Sequence, residues 1–419
     1  MLELADRGKA FLLRSALVKN SSAIFISSTI AGLFSYGYSV YIARYLGPGA
    51  FGTVGALLSI YSFVSVAFSP LTSTFTKFVA TYNAEARPDK VAGLLFFGLS
   101  RALLVGGLLV LIFLVFGPAI ADFLRLPSPL PVMILGLLCL AVILFTVVQG
   151  VLRGLQAFWF LGFVAVADAV LRLASGLGLV VIFSVNGALL AYGLAVLAAT
   201  ALCFIPLRPF LRQARAGVDL SGLLSFSAEV VLITICYAAI NSLPIIFSKR
   251  YNTPEEAGLL VAVISLGNLV VPLTDSFAIA MFPLTADLHA RGVSAFSALT
   301  RAMFFVALIS LGAVFGFWAL GQPLIMLTYG AQYAGSVPLL PVYAVVRALL
   351  AVAGLYTVYC LTTNYRRGAL ILLLPTAAQF VLLLLYHHTV LDILHVQIAG
   401  GLFTLAVFAA DRLLCLSRR

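Results

Sequence analysis

The chain has 419 residues, 63% of them hydrophobic and 9% charged, with a formal net charge of +11 at pH 7. At a mean hydropathy of +1.15, a soluble domain of this size could not cover its apolar surface with polar groups, so the solvent is lipid. The basic residues are spread over predicted helix ends and loops, which argues against a nucleic-acid surface and for the charge bias of a membrane protein.

Residues 1–19 alternate apolar positions with Arg7, Lys9, Arg14 and Lys19, the pattern of an amphipathic segment lying on an anionic leaflet. The apolar run from Ser21 to Ala43 is too long for a signal-peptide core and lacks a small-x-small cleavage site, so it is expected to remain as a helix. Spanning helices are then predicted near 20–43, 51–76, 92–121, 130–152, 157–184, 187–207, 223–247, 258–284, 298–323, 337–363, 368–387 and 395–416. The breaks carry turn chemistry: Gly47-Pro48-Gly49, Arg87-Pro88-Asp89, Pro127-Ser128-Pro129, Asn186-Gly187 and Asn252-Thr253-Pro254. Pro70, Pro244, Pro272, Pro341 and Pro375 mark helices that could bend.

The chain repeats itself. Arg44-Tyr45-Leu46-Gly47-Pro48-Gly49-Ala50-Phe51-Gly52 is answered 206 positions later by Arg250-Tyr251-Asn252-Thr253-Pro254-Glu255-Glu256-Ala257-Gly258. Pro70-Leu71-Thr72-Ser73-Thr74-Phe75 is answered 202 positions later by Pro272-Leu273-Thr274-Asp275-Ser276-Phe277, and Leu99-Ser100-Arg101-Ala102 by Leu299-Thr300-Arg301-Ala302. Two homologous halves follow: an amphipathic segment 1–19, a six-helix half 20–210, a linker 211–222 and a second six-helix half 223–419. The expected fold is all-α, twelve transmembrane helices in two pseudo-symmetric bundles around a central cavity, and internal repeats of this kind point to a transporter.

Charge asymmetry orients the chain. With both termini in the cytoplasm, nineteen of the 25 Lys and Arg residues fall on the inner side. Arg44, Arg125, Lys249 and Arg250 fall on the outer side, and Arg172 and Arg347 lie inside helices.

A charge near the bilayer centre costs about 2.5–3.5 kcal/mol or more, so each needs a reason. Asp168 and Arg172 share a helix face at i, i+4 and either form a purely structural pair or look into an aqueous cavity. In the second case Arg172 meets an anionic substrate and Asp168 takes up a proton or sodium. Arg347 lies near the middle of its span with no acid close in sequence, which points to a wet or substrate-filled cavity. Asp275, less than a turn after Pro272, is a candidate cation or proton site, and Glu229 is either a coupling residue or a hydrated helix-end acid. Lys77 and Arg101 are either cytoplasmic anchors or the mouth of a cationic vestibule. Helix one is uncharged but carries a stripe of Ser28, Gly32, Ser35 and Ser39, a cavity lining or a packing seam.

No catalytic, metal or cofactor signature emerges. The five cysteines lie in apolar runs without CxxC spacing, the four histidines have no metal-ligand geometry, and no Walker loop, HExxH or partnered GxSxG occurs. The expectation is that the chain is not an enzyme.

The Arg-Tyr-Leu-Gly-Pro-x-x-Phe-Gly segment (Arg44 to Gly52) resembles the signature of the oligosaccharide-flippase (Wzx-type) branch of the multidrug/oligosaccharidyl-lipid/polysaccharide exporter superfamily. Pro254-Glu255-Glu256-Ala257-Gly258 and the turn from Tyr329 to Pro338 resemble it too, and the likeness covers essentially the whole chain. The resemblance implies flipping of a polyprenyl-diphosphate-linked oligosaccharide across the cytoplasmic membrane, coupled to sodium or protons. It also implies a polysaccharide polymerase and glycosyltransferases as partners. Arg172 and Arg347 would bind the diphosphate or acidic sugars, since guanidinium recognises phosphate bidentately. The first helix lacks the arginine of lipid II flippases and the aspartate of many proton-coupled drug exporters. A cation or drug antiporter of the same superfamily and a polytopic glycosyltransferase or ligase are the alternatives.

Overall fold

In lipid every backbone N–H and C=O must be satisfied internally, and continuous apolar runs of about 20 residues do this as helices. The computed structural model describes residues 2–213, 228–290, 296–362 and 367–417, with side chains placed for 25–213, 231–278, 296–359, 372–411 and scattered positions from 281 to 288. No strand occurs among the described residues.

The helices are α1 (Leu2–Ala84), α2 (Pro88–Val115), α3 (Gly117–Phe123), α4 (Leu130–Gly154), α5 (Phe158–Leu211) and α6 (Ala228–Tyr251). They continue with α7 (Pro254–Gly267), α8 (Val271–Ala290), α9 (Phe296–Thr328), α10 (Leu339–Thr362), α11 (Arg367–Leu385) and α12 (Val390–Ser417). Short 3-10 turns, Asn268–Val270 and Ala331–Ser336, precede α8 and α10.

Two helices are too long for one bilayer. At about 1.5 Å per residue, α1 would run about 125 Å and α5 about 80 Å, against a hydrocarbon core of about 30 Å. Each is broken once: α1 at Gly47 (φ 76°, ψ 172°) and α5 at Ser184 (φ 50°, ψ −124°). Nine helices among the described residues are long and apolar enough to span, and Leu372–Leu385 is a shorter apolar one. Counting the two broken helices twice gives the twelve expected spans.

The first break falls on the predicted glycine, whose positive φ carries no Cβ penalty. The second does not fall on Asn186-Gly187: Ser184 takes the left-handed conformation, and Gly187 serves close approach, since a Cβ there would overlap the Leu179 carbonyl. Of the marked prolines, only Pro272 adjoins a break, following the 3-10 turn. Pro341 sits in the first turn of α10, where a missing N–H costs nothing.

By compactness the chain divides into unit 1 (Met1–Ile42, Phe68–Ala121, Pro127–Phe226) and unit 2 (Ala43–Ala67, Asp122–Leu126, Ser227–Arg419). The linker 211–222 lies largely outside the described residues.

In unit 1, glycine notches are filled by side chains. A Cβ on Gly150 would lie 2.8 Å from Phe75 Cβ, and one on Gly154 2.6 Å from Val79 Cβ, so the end of α1 lies tight against α4. Thr72 and Thr76 donate across that seam to the carbonyls of Thr146 (3.4 Å) and Gly150 (3.2 Å). Small residues that let backbones approach are how helices hold together where lipid offers no hydrophobic drive.

In unit 2, the two copies of the repeated segment meet each other. A Cβ on Gly52 would sit 2.7 Å from Gly258 N and 3.0 Å from Pro254 O, while a Cβ on Gly258 would overlap Pro48 O. Both pairs, Gly52 with Gly258 and Pro48 with Pro254, are 206 positions apart, so the contact is reciprocal. The arginines follow the same rule. Arg44 donates to the carbonyls of Thr328 (2.7 Å) and Leu327 (2.5 Å) at the C-terminus of α9. Arg250 donates to Phe123 O (3.3 Å) at the C-terminus of α3. Each guanidinium thereby satisfies orphan helix-end carbonyls of the other repeat. The equivalent junctions are built differently: Gly47 turns through positive φ, whereas Thr253 caps α7 in a reciprocal capping box with Glu256. Phe51 packs on Tyr329 and Tyr333. Burial pushes the Tyr333 phenol up, keeping it a donor to the Ala43 carbonyl at 2.9 Å.

Candidate functional site

Two charged constellations lie within spans, one in each unit. In unit 1 the break at Ser184 turns α5 back so that its second half faces its first. Arg172 pairs with Asp168 one turn before it on the same helix, and its guanidinium stacks over the Tyr192 ring at 3.9 Å. Tyr38 completes the wall, edge-on to Tyr192 at 5.7 Å and donating to Ala188 O at 2.7 Å. Gly176 seats Tyr38, because any Cβ there would overlap the ring. The Arg172 and Asp168 side chains are 12% and 18% exposed, so the pair is desolvated but neutralised on its own helix.

In unit 2, Arg347 of α10 lines a cavity of about 260 Å³ together with Thr234, Tyr237, Thr274, Asp275 and Gly354. Its Nη1 donates to Asn241 Oδ1 of α6 at 3.1 Å, and Asn241 Nδ2 is fixed by Tyr237 O at 2.8 Å. Its hydrogen-bond partners are neutral, the Asn241 amide and the Tyr343 hydroxyl, so the positive charge is oriented without an ion pair. The buried Nε has no hydrogen-bond partner among the described residues. Asp275 stands on the same cavity wall, close enough for Arg347 to act on it electrostatically. Tyr343, one turn before Arg347, donates to Asn268 Oδ1 at 3.2 Å in the 3-10 turn that precedes Pro272. Gly267 makes room for that ring: a Cβ there would lie 2.5 Å from Tyr343 Cδ1. The break at 268–270 thus tilts the start of α8 and sets Thr274 and Asp275 on the cavity.

The sequence-predicted residues are therefore distributed as follows. Arg347 and Asp275, 72 positions apart in the chain, share one cavity. Asp168 and Arg172 form their own pair. Lys77 and Arg101 have exposed side chains, and both lie deeper in their helices than the predicted span ends imply. α1 runs on to Ala84 and α2 starts at Pro88, which puts Arg101 about 20 Å along α2 at about 1.5 Å per residue. Arg101 stacks over Phe97 at 5.4 Å. Glu229 is the second residue of α6, and its side chain lies outside the described residues. Sequence reasoning missed Asn241, Tyr343 and Tyr192. A lone amide inside an apolar span was the available signal for Asn241; the tyrosines gave none. No group of three or more His, Cys, Asp or Glu suited to a metal occurs among the described residues.

Comparison with known proteins agrees with this architecture. A family model described as polysaccharide biosynthesis protein matches residues 17–289. No curated protein sequence matches the chain. Among solved structures, a multidrug resistance MATE family transporter of the MOP superfamily superposes with TM-score 0.77 at 14% identity, covering 93% of this chain and 94% of its own. The lipid II flippase MurJ superposes with TM-score 0.73 at 10% identity, covering 92% and 86%. A MOP superfamily transporter from Pyrococcus furiosus gives 0.67 at 15% identity, covering 95% of each. These identities speak for the fold, and the matched model for the family. A multi-pass, all-helical chain with this repeat and this match belongs to the polysaccharide biosynthesis protein family, and it shares its fold with the transporters it superposes on.

Proposed function

We propose that the chain flips a polyprenyl-diphosphate-linked oligosaccharide from the inner to the outer leaflet of the cytoplasmic membrane by ion-coupled alternating access, with both termini cytoplasmic. The observation that carries this reading is Arg347: a guanidinium on a cavity wall, aimed by a neutral amide and with no ion pair to its own charge among the described residues. A diphosphate offers the two adjacent oxygens such a fork binds, in an environment where a charge-assisted hydrogen bond is strong.

Asp275 supplies the coupling step. While ionised it partly offsets Arg347; on taking up a proton or sodium it releases the full positive field to the phosphate, and losing that ion favours substrate release. Asp168 and Arg172 follow the same logic in unit 1. Neutralising Asp168 frees Arg172 for an anionic group of the cargo, diphosphate or acidic sugar, and Glu229 is the further coupling acid. Lys77 and Arg101 extend the basic path for the lipid-linked anion. Each elementary charge moved through a 100 mV potential supplies about 2.3 kcal/mol. Membrane lipids form the surroundings, and a polymerase and glycosyltransferases are the functional neighbours.

An exporter of organic cations would be opposed by the Arg347 charge, which Asp275 offsets only in part. The test is reconstitution in vesicles carrying a fluorescent lipid-diphosphate oligosaccharide, scored by its accessibility to an external lectin. Transport that requires the chain and is lost in Arg347→Ala supports the reading. Equal lectin accessibility with and without the chain refutes it.

A further inference from the structure

The third pair of repeated segments, Leu99-Ser100-Arg101-Ala102 and Leu299-Thr300-Arg301-Ala302, places an arginine on α2 and another on α9. In both copies the alanine is buried and the arginine exposed. The hydroxyl before each arginine turns back onto its own helix: Ser100 donates to Phe97 O at 2.8 Å and Thr300 to Ser297 O at 3.1 Å. Neither guanidinium has an ion pair or a hydrogen bond among the described residues. Arg101 rests on the Phe97 ring at 5.4 Å, a contact that leaves its N–H donors unused.

Exposure fixes the depth of both residues. The turns of α2 before Arg101 are packed, with Leu94, Leu95 and Gly98 buried. Its exposed large apolar side chains begin directly after the arginine, at Leu103 and Leu104, and continue through Leu108. On α9 they begin at Phe304 and Phe305 and continue through Leu308. Residues three and seven positions on share a helix face with the first, so each arginine heads a row of apolar side chains. Ala102–Ala121 and Ala302–Gly321 are each 20 residues without a charge, and each run stops at a polar residue, Asp122 or Gln322. About 20 residues span the hydrocarbon core. Both arginines therefore stand at the phosphate level of one leaflet, the inner one in the orientation proposed above. Only the naming of the leaflet rests on that orientation.

We propose that Arg101 and Arg301 form two matching sites for anionic phospholipid. Each guanidinium takes the lipid phosphate, and the acyl chains lie along the apolar row beyond it. The fork of N–H donors suits a phosphate, and the stem can lie on apolar surface while the head reaches the interface. A zwitterionic lipid brings its own ammonium, whereas an anionic lipid supplies the counter-charge that the protein does not. Neither arginine lines the cavity of Arg347. A polyprenyl diphosphate presents similar oxygens and is the rival occupant.

Native mass spectrometry of the delipidated full-length protein tests the sites, with phosphatidylglycerol or phosphatidylcholine of identical chains added in detergent. Two phosphatidylglycerol molecules should bind at least about fivefold more tightly than phosphatidylcholine. Arg101→Gln and Arg301→Gln should each lose one of them and the double variant both. Arg101→Lys and Arg301→Lys, which keep the charge, should retain them, and Arg87→Gln in the turn before α2 should change neither. Equal affinity for the two lipids, or two phosphatidylglycerols still held by the double variant, overturns the proposal. Displacement of both by inorganic phosphate at equal concentration shows a bare anion site and overturns it as well. Preferential displacement by polyprenyl diphosphate gives the arginines to the cargo and has the same consequence. Two bound lipids on a protein that moves no glycan uphold the sites and count against the cargo alone.

Discussion

Arg172 and Arg347 are both guanidiniums inside membrane spans, yet they are held in opposite ways. Arg172 has its counter-ion one turn away on the same helix and an aromatic ring over its face. Arg347 has neutral partners, the Asn241 amide and the Tyr343 hydroxyl, and shares a cavity with a carboxylate. The difference teaches that a charge inside a span can be held by an opposite charge on its own helix or by neutral hydrogen-bond partners at the wall of a cavity.

The largest expected effect comes from Arg347→Ala. Losing a charge-assisted hydrogen bond of about 1.5–3 kcal/mol should weaken substrate binding about 10–100-fold. Protein levels in the membrane should stay normal, as read by binding of a fluorescent lipid diphosphate. Arg172→Ala should act first on stability, because it strands Asp168. A loss of about 1–3 kcal/mol is expected after allowing for partial exposure, and Asp168→Asn/Arg172→Gln should recover most of it in a thermal unfolding assay. If both arginine variants keep their stability and lose binding equally, the contrast between the sites disappears. Asp275→Asn should leave binding nearly intact and flatten the dependence of vesicle transport on the ion gradient; undiminished dependence removes Asp275 from coupling. The smallest effect should come from Asn241→Ala, where loss of one neutral-amide tether worth about 1 kcal/mol lowers binding about fivefold without changing gradient dependence.

A second contrast explains where the cavity comes from. Pro70–Phe75 and Pro272–Phe277 are copies of one segment. In the first, Thr72 and Phe75 close on Gly150. In the second, Thr274 and Asp275 border open space, and a Cβ on Gly354 would meet nothing within 4 Å. The 3-10 turn at Asn268–Val270, stabilised through Tyr343, separates the two outcomes. The pattern of apolar residues predicts a continuous helix over 258–284, because hydropathy registers lipid exposure and not the local hydrogen bond that bends a helix. The same limit applies to Ser184, where the turn dipeptide Asn186-Gly187 marked the right neighbourhood and the wrong residue.

Lys77 and Arg101 show a further limit. The predicted span 51–76 ends beside Lys77, yet α1 carries that residue well inside, and α2 holds Arg101 about a turn deeper than the span 92–121 implies, since an exposed basic side chain can reach water along the helix surface.

Composition and periodicity alone determined that this protein is an all-helical membrane bundle, with twelve spans and a twofold repeat. Those properties follow from backbone hydrogen bonding in lipid and from comparing the chain with itself. Arg347, Asp275 and the intrahelical Asp168–Arg172 pair were also visible, because a charge in an apolar run is conspicuous wherever it points. The fold alone decided which guanidinium is cancelled and which is open, that Asn241 rather than an acid holds Arg347, and that the two repeated glycine turns press against each other. Those outcomes depend on contacts between helices far apart in the chain, set by side-chain volume and helix breaks that leave no periodic trace in the sequence.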